Sequence, residues 1–378
     1  MRKRRPEPVL LMTPGPTRVP DRVLRAGAVP MIHHRTPEFS QALIDVLDGM
    51  RLLFGTDGDV LPVHSTGRGA MEAAIGNLFS PGDELLACCN GKFGAMWASI
   101  AESYGVVVHR ISIEWSQSVD PADIHAAFEH HPEISAVAVT HCDTATGVLN
   151  NVAMVCEIAR KHDALAMIDG VSAVGGVPFA FDAWDADVAV TATQKCLMCS
   201  PGLSFVALSN RAWKATERAT LPRSYWNFQA IRETLNAADA ETPGTAPVHL
   251  VLQAQEALAT VLAEGLDDVF MRHESMARAV ADWAAARGLA QQCPDLRRFS
   301  PTLTVLAVPP EIDPRAIKKA MRERGILIAA GLGPYRDSAF RLGHMGDIRL
   351  ADVRRTLEAL DAVLTDLRAK TPVPVGGG

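Results

Sequence analysis

Strand-like and helix-like segments alternate between residues 83 and 168, and this alternation constrains the fold more than any other feature of the sequence. Four apolar runs have the length and composition of buried strands: residues 84–89, 106–113, 135–140 and 164–168. Three runs between them have helical spacing: residues 93–104, 121–130 and 152–162. Repeated strand–helix units predict a parallel sheet with helices on both faces.

Polar segments directly follow the strands of this predicted sheet. They lie at residues 90–93 and 141–144, at Asp169, and at Gln194 and Lys195. Ligands of parallel sheets bind beyond the carboxyl ends of the strands. We therefore predict one binding site at this edge of the sheet, built from the four strand ends.

Lys195 stands on the turn between two short apolar strands in the segment 187–209, where Pro201 and Gly202 mark the chain reversal. It is one of only eight lysines, and most of the others lie in charged surroundings. A lysine that follows a buried run is desolvated, which lowers its pKa and exposes a nucleophilic amine suited to Schiff-base chemistry. Taken alone, however, the pattern favours a lysine that only caps a hairpin.

Asp169 changes this interpretation of the lysine. It ends the apolar run 164–168 and is followed by small residues and by Gly175 and Gly176. Pyridoxal phosphate acts as an electron sink while its pyridine nitrogen is protonated, and a fixed carboxylate keeps that nitrogen protonated. Asp169 and Lys195 together therefore predict a pyridoxal phosphate site with Lys195 as its catalytic amine.

A glycine-rich turn at residues 64–69 leads into a run with helical spacing at 70–79. The N-terminus of such a helix offers unpaired N–H groups and the positive end of the helix dipole, which suit a phosphate group. Thr66 adds a hydroxyl and Arg68 a positive charge on either side of Gly67. A turn of this kind is weak evidence alone, but with the lysine and the aspartate it predicts the phosphate site of the cofactor.

The sequence resembles the class V aminotransferases of fold type I, specifically the alanine–glyoxylate and serine–glyoxylate aminotransferase group. Six segments carry the resemblance, in the family's order along the chain: residues 13–17, 65–72, 141–147, 168–172, 193–195 and 340–346. The resemblance implies an α/β fold in which a large domain has a mostly parallel sheet sandwiched by helices. A smaller C-terminal α+β domain is expected to follow it.

The resemblance implies further contacts with the cofactor. Phe93 matches the aromatic residue that stacks on the cofactor ring, a position more often Trp or Tyr, and a core aromatic is the alternative. Thr144 matches a contact on the ring side of the cofactor, and Gln194 matches a phosphate contact. Asp143 stands where the family usually carries Glu, so a hydrogen bond around the cofactor is expected to differ.

Two implied contacts come from the second half of the chain. Thr245 fits a loop residue that reaches the cofactor phosphate of the neighbouring subunit, although Thr242 stands where relatives can carry Tyr. This shared contact implies at least a homodimer. Arg341 matches a clamp for the substrate carboxylate, a task that suits a guanidinium, and a plain surface salt bridge is the alternative.

The implied function is transamination between a small amino acid, such as alanine or serine, and a small 2-oxo acid, glyoxylate or pyruvate. The amino acid, with its carboxylate on Arg341, displaces Lys195 from its Schiff base with the cofactor. The freed amine then moves the Cα proton, while Asp169 keeps the ring cationic. The resemblance therefore predicts a transaminase that depends on pyridoxal phosphate.

Pyridoxamine–pyruvate transaminase, from the same group, is the nearest alternative. The pair Lys195 and Cys196 and the segment 341–346 resemble it. The phosphate turn does not, nor does Leu332, where that enzyme is expected to have an additional Arg. A lyase or cysteine desulfurase would need a catalytic cysteine, and no motif surrounds Cys293. A regulator without enzymatic activity would be expected to lack the catalytic lysine or aspartate.

Composition narrows the other classes of function. The net charge of −6 offers no basic surface for nucleic acid, and the cationic cluster at 2–5 is short. No run approaches the roughly 18 apolar residues of a membrane span, and the start does not resemble a signal peptide. The seven cysteines have neither disulfide nor metal spacing, and we interpret Cys196 and Cys199 as structural. We predict a cytoplasmic protein without nucleic-acid or membrane partners.

A chain of 378 residues is predicted to contain a large and a smaller domain. We expect four regions: an N-terminal arm at 1–20, the large cofactor-binding domain at 21–262, the small domain at 263–370 and a disordered tail at 371–378. The segment 10–17 is predicted to be a rigid loop, because its prolines restrict the backbone. In the family, this loop lies at the entrance of the active site.

Overall fold

The computed structural model describes residues 9–295 and 297–370. The basic cluster at 2–5 and the tail predicted at 371–378 lie outside the described residues. No helix of the described ranges combines the length and the apolar character that crossing a bilayer requires.

Strands and helices alternate along most of the described chain. Its strands are β1 (Leu10–Met12), β2 (Asp59–Val63), β3 (Glu84–Cys89), β4 (Val107–Ser112), β5 (Ile134–Thr140), β6 (Cys142–Asp143), β7 (Val148–Leu149), β8 (Leu165–Asp169), β9 (Val188–Ala192), β10 (Ser204–Leu208), β11 (Leu303–Ala307), β12 (Ile326–Ala330) and β13 (Ala339–Gly343). Its α helices are α1 (Asp21–Ala26), α2 (Pro37–Phe54), α3 (Gly67–Leu78), α4 (Lys92–Ser103), α5 (Pro121–His130), α6 (Val152–Lys161), α7 (Asn210–Arg218), α8 (Phe228–Leu235), α9 (Val248–Glu264), α10 (Leu266–Ala285), α11 (Pro314–Glu323) and α12 (Leu350–Lys370).

Seven strands form the large sheet, in the order β2-β10-β9-β8-β5-β3-β4. Within the described residues, β10 runs antiparallel to both of its neighbours, β2 and β9, and the other neighbouring strands of this sheet pair in parallel. Side chains of a strand alternate between its two faces. Along β5, Val137 and Val139 therefore join the core on one face, while Ala136 and Ala138 join the core on the other. The predicted mostly parallel sheet between two helical layers is confirmed.

The smaller sheet has the order β1-β12-β13-β11. Strand β1 pairs in parallel with β12, with Leu10 opposite Ile326 and Met12 opposite Ile328. The prediction of a loop across 10–17 was therefore wrong for residues 10–12. Leu10 and Met12 are buried in the core of this unit, and that apolar burial offsets the entropy cost of ordering the strand.

Helices α9 and α10 connect the two sheets. They meet at Gly265, whose φ of +87° suits glycine. The boundary that we predicted between 262 and 263 lies within the last turn of α9. Helix α9 packs on α2 beside the large sheet, and α10 packs on α12 beside the small one.

Candidate active site

The carboxyl ends of β3, β5, β8 and β9 meet at one edge of the large sheet, beside the first turns of α3 and α4. A cavity of about 370 Å³ lies there, and Gly15 and Pro16 of the N-terminal segment form part of its wall. Seven of the predicted site residues line it: Thr66, Gly67, Arg68, Phe93, Asp169, Gln194 and Lys195. The fold therefore gathers these side chains into one site.

Lys195 lies in the connection between β9 and β10, and its amine reaches the N-terminal segment. Its Nζ donates a hydrogen bond to the carbonyl oxygen of Pro14. The next residue, Gly15, has a φ of +121°, and a Cβ atom there would lie 2.3 Å from Nζ. Burial, with a contribution from Arg341, lowers the pKa of Lys195 to about 8. Far more of this amine is therefore neutral and nucleophilic at pH 7 than in an ordinary lysine.

Asp169 is the last residue of β8 and is buried in the wall of the cavity. Its Oδ1 accepts a hydrogen bond from the N–H of Val171 at 2.9 Å, and its Oδ2 accepts one from the hydroxyl of Thr140 at 3.3 Å. Burial raises the pKa of Asp169 to about 7, because these bonds do not replace the lost hydration. A cation in the cavity would stabilise the carboxylate, and a protonated pyridine nitrogen fits that requirement.

The first turn of α3 supplies hydrogen-bond donors to the cavity. Thr66 is the N-cap residue, and its side chain makes no capping hydrogen bond. The N–H groups of Gly67 and Arg68 have no acceptor within the described residues. Gln194 lines the same cavity, and its carboxamide has a buried terminal atom without a hydrogen-bond partner among the described residues. A flip of the amide would make that atom a donor. This set of donors at a helix N-terminus fits a phosphate group.

Phe93 stands in the first turn of α4 and is fixed through its backbone. The buried carboxylate of Asp143 accepts hydrogen bonds from the N–H groups of Phe93 and Ala145, both at 2.8 Å. Asp143 thus caps the positive end of α4 in place of Gly91, which has no side chain to do so. A Cβ atom on Gly91 would lie 2.4 Å from this carboxylate. Asp143 therefore holds the aromatic ring of Phe93 at the cavity wall.

Arg341 does not line the cavity. Its Nε donates to the carbonyl oxygen of Ala330 at 2.7 Å, and its Nη1 donates to that of Thr144 at 2.8 Å. No carboxylate within the described ranges lies at ion-pair distance from it, and its Nη2 has no hydrogen-bond partner there. Burial lowers the pKa of Arg341 to about 10, with Asp143 acting in the opposite direction. The two carbonyl groups orient the guanidinium, but its charge has no ion-pair partner within the described residues. An incoming carboxylate can therefore form an ion pair with it.

Thr144 and Thr245 also lie outside the cavity wall. Thr144 is buried, and its carbonyl oxygen meets Arg341. Thr245 is exposed and borders a separate cavity of about 250 Å³ that it shares with His64 and Trp226. Within a single chain, the structure therefore does not bring these two predicted residues to the cofactor site.

Met71, Met96 and Cys142 are among the residues that line the cavity without having been predicted as cofactor contacts. Met71 follows Arg68 by three residues in α3, and Met96 follows Phe93 by three in α4, so each shares a helix face with a predicted residue. Cys142 directly follows the first polar residue after β5. Helical spacing applied to the predicted residues would have found both methionines.

The model of the aminotransferase class-V family matches residues 9–350. The chain belongs to this family. The resemblance read from the six motifs is therefore confirmed, and the protein is a transaminase. Membership of the family implies pyridoxal phosphate as the cofactor.

Curated relatives match this aminotransferase along nearly its full length. A protein named soluble hydrogenase, small subunit, from Synechococcus sp. is 37% identical, over 97% of this chain and 96% of the relative. An L-aspartate–glyoxylate aminotransferase from Paracoccus denitrificans is 35% identical, over 97% of this chain and 93% of the relative. A serine–glyoxylate aminotransferase from Methylorubrum extorquens is 33% identical, over 96% and 92% of the two chains.

Solved structures of other aminotransferases have the same fold. A ureidoglycine–glyoxylate aminotransferase from Bacillus subtilis superposes with a TM-score of 0.91 at 29% identity, over 99% of this chain and 97% of that one. A pyridoxamine–pyruvate aminotransferase from Mesorhizobium loti also gives 0.91, at 28% identity, over 97% and 95% of the two chains. The predicted fold type I architecture is therefore confirmed.

Proposed function

We propose that this aminotransferase uses pyridoxal phosphate to move an amino group from a small amino acid, of the alanine or serine type, to glyoxylate or pyruvate. The observation that carries the proposal is the placement of Lys195 and Asp169 in one cavity beside the N-terminus of α3. The names of several relatives support glyoxylate as the acceptor.

The chain has residues for each part of the cofactor. When bound, pyridoxal phosphate supplies an electron sink for the charge that develops at the Cα atom of the amino acid. Asp169 would hold the ring nitrogen, and Phe93 would cover the ring. Four residues would hold the phosphate: Thr66, Gly67, Arg68 and Gln194.

Lys195 would serve first as the nucleophile that holds the cofactor and then as the base that moves a proton. Its lowered pKa of about 8 suits both tasks, because a general base works best when its pKa is near the working pH. The carbonyl oxygen of Pro14 orients the amine. The freed amine would take the proton from the Cα atom of the substrate and deliver it to the carbon of the cofactor that carries the amino group.

Arg341 would bind the substrate carboxylate. Two backbone carbonyl groups, of Ala330 and Thr144, hold the guanidinium, and Nη2 remains available. Because the group is oriented before the substrate arrives, little side-chain entropy is lost on binding. Arg341 also contributes to the lowered pKa of Lys195, which supports a place for the guanidinium near the proposed catalytic amine.

Two further parts of the proposal concern assembly and location. Thr245 is exposed and lies outside the cavity, which supports a role at the phosphate site of a neighbouring subunit in at least a homodimer. Trp226 borders the same cavity as Thr245, and its buried ring N–H has no partner among the residues that the structure describes. Light scattering on the protein as it elutes from a size-exclusion column measures its oligomeric state, and a monomer would contradict the proposed homodimer.

All seven cysteines are free thiols, which supports a reducing compartment such as the cytoplasm.

The visible absorption spectrum of the purified protein tests the function. We expect a band of bound cofactor that bleaches when L-alanine or L-serine is added and returns when glyoxylate or pyruvate follows. L-Aspartate is the comparison donor, because one relative is named for it. A band that none of these amino acids changes would contradict the proposal.

Two further assays distinguish the proposed function from its alternatives. Formation of pyridoxal from pyridoxamine and pyruvate would identify the vitamer itself as a substrate, as the name of the Mesorhizobium loti enzyme describes for that protein. Release of sulfide from L-cysteine would indicate a desulfurase. The structure does not favour the latter, because Cys293 does not line the cavity and burial raises its thiol pKa to about 11.

A further inference from the structure

A second group of ligand-type side chains lies at the opposite edge of the large sheet, where β3, β4 and β5 begin. Among the residues that the structure describes, His109, His131 and Glu133 form a group of three ligand-type side chains that could hold a metal ion. One such atom from each lies within 4.8 Å of the other two. The cofactor cavity lies at the carboxyl edge of the same sheet, so the two sites are separate.

Three segments of the chain converge to form this group. His109 lies on the edge strand β4, His131 directly follows α5, and Glu133 directly precedes β5. The two imidazole rings lie with their centres 3.9 Å apart, tilted by 34°. Nδ1 of His131 lies 3.5 Å from a carboxylate oxygen of Glu133.

A carboxylate outside the trio orients the first histidine. Glu84, at the start of β3, has an oxygen 2.5 Å from Nε2 of His109. Histidine ligands of metals commonly use their other ring nitrogen to bind a carboxylate, which fixes the ring and raises its basicity. The pair Glu84 and His109 already has this arrangement.

Two imidazole nitrogens and one carboxylate oxygen are a ligand set that suits Zn²⁺ and other late first-row metals rather than Ca²⁺ or Mg²⁺. Bonds of about 2.0–2.1 Å place tetrahedral ligands roughly 3.4 Å apart. The group spans up to 4.8 Å and its two rings lie only 34° from parallel, so both imidazoles would have to turn toward the ion on binding. The exposed fractions of the His109, His131 and Glu133 side chains are 21%, 43% and 50%, which leaves the site open to an ion from solvent.

We propose that His109, His131 and Glu133 bind one Zn²⁺ ion, with water as the fourth ligand. The ion would tie β4 to the turn between α5 and β5. Within the described residues, strand β4 is the last strand of the sheet and pairs with β3 alone, so the ion would give it a second attachment. The role is structural and independent of the proposed transamination.

Zinc titration of the holoenzyme, after treatment with a chelator and its removal, tests the proposal. We expect one site per chain by isothermal titration calorimetry with ZnCl₂, and a loss of affinity of at least about tenfold in His109→Ala and in His131→Ala. His130→Ala is the matched control, because His130 is adjacent and exposed but its ring bonds to the carbonyl of Ala126. Glu133→Gln provides a third, milder variant if an alanine variant folds poorly.

Two outcomes would overturn the proposal. One is zinc binding that is unchanged in all three ligand variants, since the ion would then lie elsewhere, for example on a cysteine. The other is an equal loss in His130→Ala, which would indicate unspecific binding to surface histidines. Zinc should also raise the melting temperature of the wild-type protein and of His130→Ala, but not that of His109→Ala. Transaminase activity should be the same in all variants, which shows that they are folded.

Discussion

At the scale of single residues, the surroundings of Lys195 decide its chemistry. Its side chain passes Gly15 so closely that any larger residue there would collide with it, and its amine meets a backbone carbonyl group. The desolvation that follows is what lowers its pKa. The position of Lys195 after a strand, together with Asp169, made it the candidate amine. The backbone carbonyl group that it meets, of Pro14, is 181 positions away along the chain and could not be predicted.

Lys195→Ala removes the only amine that lines the cavity within the described residues. We expect transaminase activity to fall by at least about 10²-fold, because the proton-moving group is lost, while the circular dichroism spectrum is unchanged. Lys214→Ala is the control, since Lys214 is exposed on α7. Undiminished activity in Lys195→Ala would remove this residue from the mechanism.

The lowered pKa of Lys195 also predicts a pH dependence. Only the neutral amine attacks an aldehyde, so the rate at which the apoenzyme captures added pyridoxal phosphate should rise with pH and level off above about 8. An ordinary lysine would give a rate that still rises near pH 10. Stopped-flow absorbance between pH 6 and pH 10 measures the profile. A rise that continues past pH 9 would show that the amine is not desolvated.

At the scale of elements, the N-termini of α3 and α4 build two sides of the site in different ways. Helix α3 leaves its first N–H groups free for a ligand, whereas α4 has its first N–H groups bound by the carboxylate of Asp143. Both helices were predicted from their spacing. The cap on α4 could not be predicted, because Asp143 is 50 residues away from Phe93 along the chain.

Asp143→Asn turns one acceptor of this cap into a donor that faces a buried backbone N–H. We expect a loss of about 1–3 kcal/mol in the free energy of unfolding and weaker binding of pyridoxal phosphate, because Phe93 loses its anchor. Asp120→Asn is the matched control at the N-cap of α5, where an exposed aspartate accepts from Ala122. That change should leave cofactor affinity unaltered. Fluorescence titration with the cofactor and urea unfolding measure both quantities, and equal cofactor affinities in the two variants would contradict this role of Asp143.

At the scale of the whole molecule, buried histidines link stability to pH. His273 lies on α10 and His344 directly follows β13; both are buried, and burial lowers their pKa values to about 4 and about 3. The unfolded chain, with ordinary histidine pKa values near 6.5, binds more protons below that pH. Their contribution to stability is therefore complete above pH 6.5 and is lost as the pH falls toward 4. Asp169, with its raised pKa, has the opposite sign in this range.

A comparison of variants isolates the histidine contribution. Between pH 6.5 and pH 5, the free energy of unfolding of the wild-type protein should fall by about 1 kcal/mol per pH unit more than that of His344→Asn. His130→Asn, at an exposed position, should follow the wild-type slope. Urea unfolding at fixed pH values measures the slopes. Parallel slopes for wild type and His344→Asn would show that His344 does not titrate on unfolding in this range.

Local sequence patterns predicted the pairing of strands that follow one another in the chain, but not the pairing of strands far apart in it. The reversal at Pro201 and Gly202 predicted the pair β9 and β10, and the structure contains it with Ser204 opposite Ala192. The arm residue Leu10 pairs with Ile326, over 300 positions away, and no local pattern indicates such a partner. Arg341 was found by its motif, but the two carbonyl groups that hold it come from β12 and from the segment after β5.

By itself, the sequence determined the strand–helix alternation, the positions of Asp169 and Lys195 after strands and the glycine-rich start of α3, because each depends on side-chain periodicity or on residues close together in the chain. The tertiary structure alone decided how β1 joins the small sheet, that Cys142 lines the cavity, and how Asp143 anchors Phe93. It also brought His109, His131 and Glu133 together. These features depend on contacts between distant segments, whose geometry exists only after the chain has packed.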